Sequence, residues 1–328
     1  MKAVCIRYPE KSRVDVVEQD LPELGPGDVL VRSEVSLMST GTENIILNAL
    51  FDPGTHWANF VKFPYFPGYS SVGVVEEVGA EVERFRVGDR LVFPRAHRSH
   101  HVLPSSDTDV VRVPSGISPE DASWFALARI THNGTRNAGI GLGDRVAVVG
   151  CGPIGQMMIR WAACCGAERV VAIDPMLARL DIARLGRATD VMNLGADAAK
   201  EPLLELLGEL PNLVVDTTGH AAVLPHCFGL TAMMGRLLLI GDTGSPASQH
   251  LTPDLVTRGL RLIGAHYNNR YADRNVEGVL NLYFGLVASG RFRLDGMVTH
   301  EFAGADAEAA YRLVNTRRGE TVGVLFRW

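Results

Sequence analysis

Apolar residues fall in two different rhythms along the chain. Residues 14–17, 29–35, 72–78 and 87–92 are short β-like runs, separated by turn signals such as Gly25-Pro26-Gly27-Asp28 and Gly79. Many short strands with regular turns predict a small, mostly β domain ending near Val113-Pro114-Ser115-Gly116. The rhythm then changes. Residues 119–138 read as a helix, with Ser118 as N-cap before Pro119. Continuous apolar strands at 145–149, 169–173, 213–216, 236–240 and 260–263 alternate with helices at 154–165, 177–185 and 221–233. That alternation predicts a parallel sheet covered on both faces, so the fold class is α/β. The tail from about residue 268 returns to mixed helix and strand and ends in a strand over 322–326.

Composition narrows the picture only a little. At 328 residues, two domains are the natural division. Charged residues make up 21% and hydrophobic residues 46%, with a net charge of −5. That mixture points to neither nucleic acid nor a membrane surface as partner. No apolar run reaches the ~20 residues of a membrane span. The first residues read as a strand with no signal-peptide layout. The five cysteines form no Cys-x-x-Cys pair, and a reducing, cytoplasmic location is expected.

The strongest local signal is Val146-Ala147-Val148-Val149-Gly150-Cys151-Gly152-Pro153-Ile154-Gly155, a strand, a Gly-x-Gly-x-x-Gly turn and a helix start. Gly150 permits the turn, Gly152 lets backbone approach a pyrophosphate, and Gly155 lets helix and strand pack closely. The following helix start offers free N–H groups to phosphates. Asp174 ends the next strand, nineteen residues after Gly155. It is placed to bind the adenosine ribose hydroxyls and to repel a 2′-phosphate, so NAD is the expected cofactor. It could instead cap the helix after Pro175. Arg179 could stack on adenine or neutralise Asp174. Thr217-Thr218-Gly219 and Ile240-Gly241-Asp242 close later strands, where ligands sit in open parallel sheets. His266 follows the last strand and is expected near the cofactor, together with Pro153 and Ile154.

Several segments together resemble the medium-chain dehydrogenase/reductase family over essentially the whole length. They include Gly25-Pro26-Gly27-Asp28-Val29, Pro67-Gly68, Val87-Gly88-Asp89-Arg90, Gly141-Leu142-Gly143-Asp144-Arg145, the fingerprint, and Val298-Thr299-His300. The resemblance implies a GroES-like catalytic domain from residues 1–118, completed by 268–328, with a Rossmann domain over 119–267 between them. It also implies a homodimer. Where such enzymes carry Gly-His-Glu at a catalytic zinc, this chain has Gly68-Tyr69-Ser70. The cysteine position falls on Ser39 or Thr40, the later ligand position near Ala126, and the structural lobe has no cysteine. No metal is therefore expected. The segments Ser39-Thr40-Gly41-Thr42-Glu43 and Phe125-Ala126-Leu127-Ala128 with Thr131-His132 are similar to the zinc-free bacteriochlorophyllide dehydrogenase-like branch.

Without zinc, hydrogen bonds or a general acid–base must manage the alcohol proton. Tyr69 is the leading candidate, as proton donor or relay; the alternative is a packing aromatic. Glu43 is the base, or orients Tyr69, or makes a structural ion pair. Ser39, Thr40 and Thr42 form either a hydroxyl relay or turn contacts; Thr40 is also a candidate cofactor contact. His97, His100 and His101 cluster in sequence, with one of them a candidate for the cleft. His132 reads as a core or hinge residue, and Arg270 as an anion contact or a salt bridge. The expected activity is NAD(H)-dependent interconversion of a secondary alcohol and a ketone on a medium-sized polar metabolite such as a cyclitol, a sugar or a biosynthetic intermediate. A quinone or enoyl reductase and a non-catalytic NAD(H)-binding protein are the alternatives.

Overall fold

The structure is a computed structural model describing residues 1–328. Six parallel strands form one sheet: β1 (Arg145–Val149), β2 (Arg169–Ile173), β3 (Asp190–Met192), β4 (Leu213–Asp216), β5 (Arg236–Leu239) and β6 (Arg261–Gly264). Their order is β3-β2-β1-β4-β5-β6. The apolar runs are continuous because both faces are covered. Val146, Val148, Leu213 and Val215 point into one core, and Ala147, Val149, Val214 and Leu237 into another. Chain direction along the sheet reverses between β1 and β4, which opens a ligand crevice at their carboxyl ends.

The second sheet mixes both ends of the chain. Strand Gly323–Arg327 pairs antiparallel with Asp28–Met38, which in turn pairs with Ser71–Val78. Strand Val298–Ala303 joins at the edge, so the tail completes the sheet begun by the first third. A single apolar cluster connects the two units. Val35, Leu37 and Val72 of this sheet meet Phe125, Met157 and Trp161 of the cofactor-side helices and Leu280 and Tyr283 of the tail. No helix is long and apolar enough to cross a membrane.

Several expected elements change in detail. The helix at 119–138 is two helices, Pro119–Ala122 and Phe125–Ala138, because Ser123 and Trp124 turn the chain to bury the Trp124 indole. Ser118 does cap the first, accepting from the Asp121 N–H at 3.0 Å. The helix expected over 221–233 is only Leu224–Leu230, with Pro225 in its first turn. The strand expected from Val87 starts at Arg90, since Gly88 lies at φ +90° in a turn. Helices Val276–Ala288 and Ala307–Thr316 occupy the tail.

Candidate active site

Ser39 ends the long strand Asp28–Met38 and precedes helix Thr40–Leu47. Its side chain does not cap that helix. Instead the Glu43 carboxylate reaches back and accepts the Ser39 N–H at 2.7 Å. The Ser39 hydroxyl, not used as a cap, accepts a hydrogen bond from the Tyr69 hydroxyl at 2.6 Å. Tyr69 packs its ring on the apolar cluster between the two units. Burial raises the Tyr69 pKa, while the hydroxyls of Ser39 and Thr42 offset part of the rise and Glu43 adds to it. The group is thus a neutral phenol, suited to donate or relay a proton rather than to act as a phenolate.

Glu43 is 1% exposed. Besides Ser39, its carboxylate takes the Tyr311 hydroxyl and stands 3.2 Å from His97 Nε2. His97 is fully buried, with Nδ1 2.8 Å from Ser36 Oγ, and Trp328 Nε1 donates to the same oxygen. Of these readings of Glu43, the geometry supplies the partners of the structural one: it acts on Tyr69 through Ser39 and from beneath. The loop above is fixed by Gly68 at φ +104°, where a Cβ would lie 2.7 Å from the His97 ring. Ser70 donates to the Ser123 carbonyl at 2.5 Å. Thr40 is 2% exposed beside Ser39.

The three histidines do not form one cluster. His97 belongs to the Glu43 network. His100 is 3.7 Å from Glu76 near the surface. His101 lies against the Phe93 ring, and burial, then Arg98 and Arg95, lowers its pKa to about 3. His132 is a core residue between Trp161 and Tyr271.

The glycine-rich turn has the shape a pyrophosphate needs. A Cβ at Gly155 would collide with the Gly150 carbonyl oxygen, so helix Pro153–Cys164 leaves the turn at contact distance only because residue 155 is glycine. Over Gly152 the space is open, with Arg179 Nη1 4.0 Å away as the nearest atom. Pro153 stands in the first helical turn and Ile154 packs into the core behind it. Gly152 caps the helix with no side chain, leaving its first N–H groups free. Thr217 donates to the Gly150 carbonyl at 2.7 Å, and Thr218 to Asp216 at 2.7 Å. Gly219 and Gly241 approach each other across the ends of β4 and β5, with Ile240 buried beside them. His266 is exposed just past the end of β6, its ring 6.5 Å from that of His56.

Asp174 is 3% exposed and already accepts two backbone bonds, from Cys151 at 2.7 Å and Met176 at 2.8 Å. Its bond from Met176 closes a turn around Pro175, but the helix Leu177–Leu185 has Met176 as its N-cap and no side-chain cap bond, so Asp174 does not cap that helix. A carboxylate has about four acceptor sites, so two remain for a ribose. Arg179 corrects the expectation of adenine stacking. Its Nη2 donates to the carbonyls of Arg318 at 2.5 Å and Thr321 at 3.3 Å, which ties the guanidinium to the tail. Neutralisation survives in weak form, Nη1 lying 3.8 Å from Asp174.

Arg318 escaped the sequence reading. Its guanidinium lies 3.7 Å from a Cβ built on Gly41, and burial, then repulsion by Arg179, lowers its pKa. Of the two, Arg179 is the one that stands at the free helix start, through its Nη1 over Gly152. The only sequence trace is the doublet Arg317-Arg318, which reads as an ordinary basic surface pair. A loop from the first unit also crosses to the second. Asp52 N–H donates to the Gly244 carbonyl at 2.8 Å, Ser245 to Asp52 at 3.0 Å, and His56 stands 3.1 Å from Asp242.

The zinc expected of relatives finds no matching donors. Nowhere do three or more His, Cys, Asp or Glu side chains gather in a metal-holding group. At Tyr69 the neighbouring donors are serine and threonine hydroxyls, and Ala126 is a buried alanine. That set does not fit a tetrahedral Zn²⁺.

Two family models match the chain: an alcohol dehydrogenase GroES-like domain over residues 25–107 and a zinc-binding dehydrogenase over 153–283. An L-threonine 3-dehydrogenase of Bacillus licheniformis is 27% identical, covering 98% of this chain and 96% of its own. Among solved structures, an Escherichia coli alcohol dehydrogenase complexed with NADH superposes with a TM-score of 0.83 at 18% identity, over 100% of this chain and 99% of that one. A Sinorhizobium meliloti protein bound to NADP gives 0.82 at 20% identity, over 100% of both. With a GroES-like sheet completed by the tail, a Rossmann sheet and a cradle for a dinucleotide between them, the chain belongs to the medium-chain dehydrogenase/reductase superfamily.

Proposed function

We propose that this protein is an NAD(H)-dependent, zinc-independent alcohol dehydrogenase of the cytoplasm that interconverts a secondary alcohol and a ketone on a small polar metabolite. The observation that carries the reading is the 2.6 Å hydrogen bond from Tyr69 to Ser39, at the position where the zinc-type relatives are expected to carry ligands. When bound, the nicotinamide supplies the hydride acceptor. The chain supplies the rest. In ketone reduction the Tyr69 hydroxyl gives its proton to the developing alkoxide and regains one through Ser39. In alcohol oxidation the same relay runs backwards. Thr42 supports the relay from the side, and the apolar cluster behind the tyrosine ring keeps the phenol neutral. The experiment that tests the reading is NADH formation with a panel of secondary alcohols and NADH consumption with the matching ketones. A panel with no turnover in either direction would favour a binding protein.

Asp174 supports NAD over NADP. It follows the second strand of the sheet, where an acid after the glycine-rich turn disfavours a 2′-phosphate, and two backbone N–H groups fix its carboxylate. Asp174→Ala is expected to weaken NAD binding roughly tenfold, through loss of charge-assisted hydrogen bonds of ~1.5 kcal/mol or more. It should also relax rejection of NADP. Cofactor titration followed by fluorescence checks both, and an unchanged NAD/NADP ratio would remove the ribose role.

A homodimer fits the outer edge of the parallel sheet. Strand β6 is an edge strand with Leu262 38% exposed, and Met233, Met234 and Val256 are exposed on the same unit.

A further inference from the structure

One buried arginine shares its only carboxylate with an exposed one. Arg129, on helix Phe125–Ala138, is 3% exposed, and its Nη2 has no hydrogen-bond partner. Its Nη1 is 3.5 Å from Asp109, and the guanidinium lies over the Tyr267 ring at 3.9 Å. The same Asp109 takes both terminal nitrogens of Arg270, at 3.3 and 3.4 Å. One carboxylate thus serves two guanidiniums. Burying a cation with an incomplete counter-charge is costly, and burial indeed lowers the Arg129 pKa.

Arg270 opens onto a cavity of about 490 Å³, the size of a small-molecule pocket. Arg84 and Arg274 also line it, with the hydroxyls of Ser105 and Thr108. Its only acid is Glu277, 3.7 Å from Arg84. Arg274 is held by nothing stronger than the Gly278 carbonyl at 3.4 Å. Guanidiniums in excess, with hydroxyls between them, form the donor set that recognises carboxylate or phosphate. From Arg270 the chain of contacts runs inward through Asp109 and Arg129 to Tyr267. Tyr267, the ring beneath Arg129, packs on the same apolar cluster as Tyr69. Burial pushes its pKa up to about 12, with Tyr69 among the neighbours that act on it.

We propose that this cavity receives the anionic end of the substrate, a carboxylate or a phosphate, with Arg270 and Arg274 as its contacts. The word substrate rests on the alcohol dehydrogenase reading; the anion site itself does not. The test therefore has two arms. In the first, the NAD-saturated protein is titrated with inorganic phosphate and with malonate at constant ionic strength, followed by calorimetry. Binding is expected in the wild type and at least tenfold weaker in Arg270→Gln and Arg274→Gln, with Arg270→Lys recovering part of it. Saturating the cofactor site first keeps the probe away from the glycine-rich turn and Arg179. Absence of binding, or equal binding by both glutamine variants, overturns the proposal. In the second arm, pairs of neutral and anionic secondary alcohols are compared by kcat/KM. The anionic member is expected to be preferred at least tenfold, with the preference residing in KM and lost in Arg270→Gln. A wild type that prefers the neutral member overturns the substrate role. Anion binding by a protein that oxidises no alcohol would leave the site standing and sink the dehydrogenase reading instead.

Discussion

Tyr69→Phe is expected to lower kcat by roughly 10²–10³-fold, the range typical of losing a positioned general acid–base. The cofactor dissociation constant should barely move. The variant removes one oxygen and keeps the ring, which stays packed on the apolar cluster between the two units. Ser39 loses its donor at 2.6 Å, a stability cost of about 1 kcal/mol. Activity and stability therefore separate, which a packing role for Tyr69 would not allow. Because burial holds the phenol above the ordinary tyrosine value of about 10, the wild-type activity should not fall from phenol ionisation below that pH. Steady-state kinetics with thermal unfolding on the same preparations check the prediction. Near-wild-type kcat in the folded variant would return Tyr69 to a packing aromatic.

Glu43→Ala is expected to destabilise the protein by about 3–5 kcal/mol, the cost of removing one partner from a buried charged network. The Ser39 N–H, the Tyr311 hydroxyl and His97 all lose their acceptor at once, in a site that is 1% exposed. Glu43→Gln keeps the shape and one acceptor oxygen, so it should cost less. Urea unfolding of both variants measures this. In the folded Glu43→Gln protein, kcat should fall far less than in Tyr69→Phe, since Glu43 reaches the relay only through Ser39. Wild-type stability combined with a loss of 10³ in kcat would restore Glu43 as the base.

The parts legible in the sequence are those whose physics is local. The run from Val146 to Gly155 specifies a strand, a tight turn and a helix within ten residues, and the structure builds all three. Ser118 marks a real helix start for the same reason. Boundaries failed where a tertiary demand overrode the local pattern, as when burial of Trp124 broke the helix at 119–138. What escaped is which partner each charged group finds, since those pairings are made over distance. Arg270 and Asp109 are 161 residues apart in sequence. Arg179 and Thr321 are 142 apart, so a guanidinium placed beside the adenine site by spacing turns out to be tied to the tail. Tyr69 was legible only as a substitution at a position known from the family resemblance. Its partner Ser39 was legible as a relay or turn hydroxyl, but not as which of the two, because Tyr69 lies 30 residues away.

The central claim is that hydride chemistry here proceeds with a tyrosine relay in place of a metal. The most direct measurement is turnover of a secondary alcohol by protein dialysed against a strong chelator, with bound zinc quantified on the same sample. Full NADH formation at a zinc content far below one per chain is the result expected. Activity lost on chelation and restored by added zinc would contradict the account.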